Sequence, residues 1–326
     1  MANAEQIKAL VKSHLDGDED RFLTIAMQLA ASAARQGHGK FAEELKALVD
    51  AAKSKPVVPQ RTKSGPVPVV QPRGELAGLL SVQYSKLHLT DLVLDASISE
   101  RLQRVVLEHA QQSKLKSFGL SPRRKLLFVG PPGSGKTMTA SALAGEMNLP
   151  LFTIVLDGLI TKYMGETAAK LRIIFDAIQS TRAVYFFDEF DAVGGKRESQ
   201  NDVGEIRRVL NSFLQFLEQD QSDSLIIGAT NHPELLDRAV FRRFDDVIEY
   251  SPPNDQQIRQ LITERLSALG TKQLSWESLL KEAQGLSYAD ITNSCNDAAK
   301  EAILADSKIV TTESLVKWLQ IRRKAR

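Results

Sequence analysis

The run Gly130-Pro131-Pro132-Gly133-Ser134-Gly135-Lys136-Thr137 restricts what this chain can fold into more than any other stretch. The apolar residues 126–129, Leu-Leu-Phe-Val, precede it and read as a buried strand, and a helix is predicted to begin near Thr137. Between strand and helix, glycines let the backbone turn with its N–H groups pointing inward, and the helix N-terminus adds partial positive charge. That arrangement cradles phosphates. Lys136 is expected to reach the β- and γ-phosphates and Thr137 to hold Mg²⁺, with Pro132, Gly133, Ser134, Gly135 and Met138 completing the nucleotide contacts. A plain Gly/Pro turn would explain neither the Lys-Thr pair nor the strand before it.

Composition narrows the remaining options. A net charge of +2 on 326 residues gives no general case for nucleic acid or membrane binding. No apolar run approaches the roughly 18 residues of a membrane span, and Met1-Ala2-Asn3-Ala4-Glu5 lacks the pattern of a secretory leader. Cys295 is the single cysteine, so an internal disulfide is excluded and a cytoplasmic location is expected. Its Ala-rich, helical surroundings read as packing rather than nucleophilic chemistry.

Four segments are predicted. Residues 1–53 form a small helical domain, with Phe22, Leu23, Ile25, Ala26, Leu29, Ala30 and Ala33 at helical spacing and a break at Gly37-His38-Gly39. Residues 54–74 carry Pro56, Pro59, Pro66, Pro68 and Pro72 and read as a stiff linker. Residues 75–251 alternate strands and helices as a five-stranded parallel sheet flanked by helices does, the strands being 126–129, 151–155, 183–187, 224–228 and 246–250. Residues 252–326 read as helices alone, a lid.

Two further strands end in chemistry. Residues 184–187, Val-Tyr-Phe-Phe, run into Asp188 and Glu189. Ligands of parallel sheets sit at the strands' C-terminal edge, so Asp188 is expected beside the phosphate loop holding Mg²⁺, with Glu189 as general base toward water. Asn231, ending a second apolar strand, is placed for the γ-phosphate or the water, although an Asn before His232-Pro233 is also a plain turn former.

Together with Leu236-Asp237-Arg238-Ala239-Val240-Phe241-Arg242-Arg243-Phe244-Asp245, these motifs resemble the AAA family of ATPases over about residues 85 to 320. The adjacent arginines are most similar to those of the spastin and katanin group. The resemblance implies that Arg242 and Arg243 are fingers reaching a neighbouring subunit's nucleotide, that Val93 and Ala289 lie against the adenine, and that ATP with Mg²⁺ is bound. It also identifies Lys162, Tyr163 and Met164 as a pore loop gripping an extended polypeptide, with Gly165 letting it bend; packing of Tyr163 and Met164 in the core is the alternative. A second loop, 194–198, lines the same channel or is simply solvent-exposed. In the lid, Tyr288 stands where the family has a glycine.

The implied function is a ring, hexameric in the family, that threads polypeptide by hydrolysing ATP between subunits, with an adaptor or a separate peptidase as partner. The alternatives are a nucleic-acid motor or loader, for which the basic run is 322–326, and a nucleotide-dependent scaffold. No H-E-x-x-H pair marks the chain as a protease.

Overall fold

The computed structural model describes residues 25–27, 29–30, 43, 72, 74–154, 164–189, 202–236, 238–271, 274–307 and 309–324. The chain divides into two compact units, Met1–Val67 and Pro68–Arg326. In the first, Ala26, Leu29 and Ala30 are buried on a helical stretch, the i, i+3, i+4 spacing of one helix face.

The second unit runs β1 (Leu80–Gln83), α1 (Ala96–Ala110), α2 (Gln112–Ser117), β2 (Lys125–Val129), α3 (Lys136–Met147), β3 (Leu151–Ile154), α4 (Met164–Ser180) and β4 (Val184–Phe187). It continues through α5 (Asp202–Gln219), β5 (Leu225–Thr230), α6 (Arg238–Phe241), β6 (Asp246–Glu249), α7 (Asp255–Arg265), β7 (Gly270–Thr271), α8 (Trp276–Ala283), α9 (Tyr288–Leu304), β8 (Ile309–Val310) and α10 (Thr312–Lys324).

Six strands form one sheet in the order β1-β3-β4-β5-β2-β6, one more than the five expected. β2 to β6 are mutually parallel, whereas β1 is an antiparallel edge strand with Leu80 opposite Ile154 and Gln83 opposite Leu151. The central strands β2, β4 and β5 are nearly continuous apolar runs because both of their faces are covered, whereas the edge strand β6 buries only Ile248. Residues alternate between the faces with period two. Leu127, Val129, Tyr185, Phe187 and Ile226 pack against α4 and α5 through Ile174, Phe175, Phe213 and Leu217. Leu126, Phe128, Phe186, Leu225 and Ile227 pack against α1 and α3 through Leu102, Val105, Ala140 and Leu143. β1 escapes that pattern because only Leu80 in it is buried.

β2, β4 and β5 are neighbours, so the chain leaving their C-terminal ends converges on one edge. Beyond β6, helices α7 to α10 enclose a separate apolar cluster that includes Ile262, Leu279, Ile291, Cys295, Leu315 and Leu319. Capping boxes start two of them, Asn254 with Gln257 and Ser287 with Asp290. The lid is not helical alone: β7 and β8 pair in parallel, as strands too short to leave a periodic signature. α4 begins at Met164 rather than near Ala168, so Met164 and Gly165 belong to its first turn.

Two features set the seating of α1 and α3. A Cβ on Gly145 would lie 2.0 Å from the Leu87 carbonyl oxygen, so α3 approaches the 84–89 segment at a distance that only glycine permits. His109 of α1 is 3% exposed, and its Nε2–H donates to the Arg123 carbonyl at 2.9 Å. Burial holds the His109 pKa below its usual value, so the ring is neutral in the folded chain.

Two outcomes follow. Gly145→Ala overpacks this contact and costs about 3 kcal/mol, which lowers the melting temperature by about 10 °C in calorimetry; an unchanged melting temperature contradicts the close approach. For His109 the unfolded chain binds the proton more readily than the folded one. Its contribution to stability is therefore present above about pH 6.5 and declines as pH falls below that value. His109→Gln flattens this limb of a denaturant-titration series between about pH 6.5 and 5; an unaltered slope shows that another group carries it.

Candidate functional site

The phosphate loop leaves β2 at Gly130, whose N–H donates to the Thr230 carbonyl of β5 at 3.2 Å. Gly133 and Gly135 have φ of +74° and +100°, values that glycine adopts without strain. Gly135 precedes the first turn of α3, which carries no acidic residue to offset its positive end. Lys136 is buried, and its ammonium donates to the carbonyls of Gly130 at 2.7 Å and Pro131 at 3.0 Å and to Asn231 Oδ1 at 2.7 Å. The side chain thus ties the loop to the end of β5.

The end of β4 is tied to the same loop. Thr137 Oγ1 donates to Asp188 Oδ2 at 3.1 Å, and the other Asp188 oxygen accepts the Glu189 N–H at 3.0 Å. Glu189 has φ of +50°, a left-handed conformation that costs a non-glycine residue about 1 kcal/mol. It is exposed where Asp188 is half-buried. A hydroxyl and a carboxylate side by side are hard oxygen donors suited to Mg²⁺, which takes its remaining ligands from phosphate and water.

These residues line a cleft of about 420 Å³. Pro132, Gly133, Ser134, Gly135, Lys136, Thr137, Met138, Asp188, Glu189 and Asn231 form its floor and one end, and Val93 and Ala289 lie in its wall. Ala289 N–H donates to the Gly133 carbonyl at 3.1 Å, and a Cβ on Gly133 would meet Ser287 Oγ at 2.6 Å. The lid therefore rests directly on the phosphate loop. Sequence reasoning missed Leu261 and Arg265 on α7 and Thr292 and Asn293 on α9, which line the same wall. No local spacing marks them, because they reach the cleft only where the lid docks on it. Tyr288 lines the wall too, and burial, helped by the Asp95 charge, pushes its hydroxyl up to about 12.

The two arginines of 242–243 do not line this chain's own cleft. Arg242 is exposed, whereas Arg243 is half-buried with Nε 2.7 Å from Glu218 Oε1 of α5. Of the expected pore loop, Lys162 and Tyr163 lie outside the described residues, and Met164 opens α4. The second loop, 194–198, lies outside them as well. Arg322 and Arg323 of the basic C-terminal run serve internally, pairing with Asp297 at 2.8 Å and Glu282 at 3.3 Å. Among the described residues no helix is long and apolar enough to cross a membrane.

Comparison with known proteins agrees with this geometry. Residues 126–252 match the family described as "ATPase family associated with various cellular activities (AAA)". The chain is 32% identical to the uncharacterized AAA family ATPase y4kL of Sinorhizobium fredii, an alignment covering 100% of this chain and 97% of the relative. It is 32% identical to a probable 26S proteasome regulatory subunit 10B of Caenorhabditis elegans, over 69% of this chain and 57% of that protein. It is also 31% identical to the ATP-dependent zinc metalloprotease FtsH of Mycoplasma mobile, over 71% of this chain and 34% of that protein. It thus spans nearly all of y4kL but about half and a third of the other two. The crystal structure of the FIGL-1 AAA domain superimposes with a TM-score of 0.61 at 24% identity, covering 74% of this chain and 85% of that one, and shows the same fold.

Replacing Lys136 by alanine removes a charge-assisted contact to phosphate, so binding of a fluorescent nucleoside triphosphate weakens by about 10²-fold in titration. Unchanged affinity rules out Lys136 as the phosphate ligand.

Proposed function

Since the chain belongs to the AAA family of ATPases, we propose that it forms a ring, hexameric as the family resemblance implies, in which ATP hydrolysed between subunits drives the threading and remodelling of polypeptide. The observation that carries this reading is the division of the site. Lys136, Thr137, Asp188 and Asn231 are interlinked around one cleft, while the exposed Arg242 of the same chain stands apart from it. Its charge is available to a neighbouring copy.

Within the cleft, Lys136 and the amides of the phosphate loop bind the β- and γ-phosphates. Thr137 and Asp188 would hold Mg²⁺, which when bound offsets phosphate charge. Glu189 orients a water and accepts its proton as the oxygen attacks the γ-phosphorus and ADP leaves. Asn231 fixes the γ-phosphate or that water, and Arg242 of the adjacent subunit compensates charge developing in the transition state. Val93 and Ala289 bound the adenine, and Met138 lies beside the phosphates. Motion of the lid, 252–326, against the large domain, 75–251, is passed to Tyr163 and Met164 in the central channel. Residues 1–53, on the linker 54–74, recruit substrate. Arg322 and Arg323 of the basic run that would serve a nucleic-acid motor are engaged in internal ion pairs, which favours the protein substrate.

Two variants test separate parts. Glu189→Gln binds ATP with near-normal affinity but releases phosphate about 10³-fold more slowly; full turnover contradicts its role as base. Tyr163→Ala keeps ATPase activity within about threefold and loses unfolding of a tagged fluorescent substrate, because an alanine removes the aromatic grip. Undiminished unfolding removes the threading reading.

A further inference from the structure

The sequence pattern treats Arg242 and Arg243 alike, but the structure gives them different surroundings. Arg242 is exposed in the turn between α6 and β6. Arg243 is half-buried, with Nε 2.7 Å from Glu218 Oε1 and Nη1 donating to the Ala239 carbonyl at 3.3 Å. The chain on both sides of the turn is pinned. Val240 and Phe244 are buried in the core beneath it. Asp245 accepts the Arg124 and Lys125 amides at 2.7 and 2.9 Å, and Asp246 pairs with Arg101 and Arg123. Glu218 lies in the last turn of α5, a helix that packs against the sheet through Phe213, Leu214 and Leu217 and so offers a fixed point.

We infer that Arg243 is a positioning residue, whose ion pair with Glu218 sets the turn from which Arg242 reaches the neighbouring nucleotide, rather than a second finger. The inference rests on the shared-site reading proposed above. A guanidinium whose charge faces a carboxylate of its own subunit is compensated, and Glu218 would repel any phosphate brought against it. Among the described residues, Arg242, one residue earlier, makes no such ion pair. A finger must meet the transferring phosphoryl group in a narrow geometry, and a displacement of about 1 Å costs about 10²-fold in rate. The Glu218–Arg243 pair is partly exposed, so its removal hardly alters stability. Its loss is therefore read in turnover rather than in folding. Lys125 also feels the Glu218 charge, together with those of Arg124, Asp220 and Asp245.

The experiment measures kcat, KM, melting temperature and sedimentation of full-length Arg242→Ala, Arg243→Ala, Glu218→Gln, the Glu218→Gln/Arg243→Ala double variant and the charge-reversed Glu218→Arg/Arg243→Glu. Arg243→Ala and Glu218→Gln are expected to lower kcat by a similar factor, about 10²-fold, with KM, melting temperature and assembly unchanged. Their double variant is expected to be no worse than either single one, and the reversed pair to recover to within about tenfold of the parent. Recovery is incompatible with a finger, because a glutamate cannot stabilise a phosphoryl group. The inference is overturned if Glu218→Gln turns over normally while Arg243→Ala does not, or if the losses of the single variants multiply in the double one. A reversed pair that misfolds leaves the decision to that double-variant comparison. The shared site is tested apart from this: Arg242→Ala mixed with Glu189→Gln regains activity if sites are completed between copies. Failure of that mixing overturns the proposed function itself.

Discussion

The ammonium of Lys136 holds together two pieces of chain that are far apart in sequence, the phosphate loop and the end of β5. It accepts a place inside the phosphate loop, bonded to the Gly130 and Pro131 carbonyls, and it reaches Asn231 at the end of β5. A buried cation is tolerable only where such oxygens surround it. The loop, the strand end and the cleft between them are therefore mutually dependent, and the side chain proposed to bind phosphate is also the one that fixes the geometry of its own site. Asp188 performs the parallel task for β4, one oxygen held by Thr137 and the other by the Glu189 amide.

What makes these contacts possible is the burial of both faces of the sheet. Phe128 and Phe186 look toward α1 and α3 while Tyr185 and Phe187 look toward α4 and α5, so β2, β4 and β5 are locked in register and their ends are brought to one edge. The lid completes the cleft from the other side, with Ala289 N–H on the Gly133 carbonyl. Phosphate loop and lid are thus in direct contact, so a nucleotide seated between them would touch both.

The parts legible in the sequence are those in which local chemistry and local structure coincide. Strands buried on both faces leave continuous apolar runs, and a Gly-rich turn before a helix, an acid pair after 184–187 and a polar end to 224–230 each fall at a strand terminus. β1 was not legible, because four residues with a single buried side chain give little alternation and its pairing with β3 is a matter of tertiary register. β7 and β8 are shorter still. Leu261, Arg265, Thr292 and Asn293 line the cleft only because the lid docks on it, which no local pattern encodes. The same holds for the contrast between Arg242 and Arg243, since Glu218 is distant in sequence and near only in the fold.

The central claim is that one copy supplies the nucleotide cleft and another supplies the charge that completes it. The most direct measurement is ATPase activity per subunit across a dilution series, followed in parallel by sedimentation. The account predicts that activity per subunit climbs steeply with protein concentration and tracks the appearance of the assembled ring. Activity per subunit that stays constant down to dilutions where the protein sediments as a single chain would contradict it.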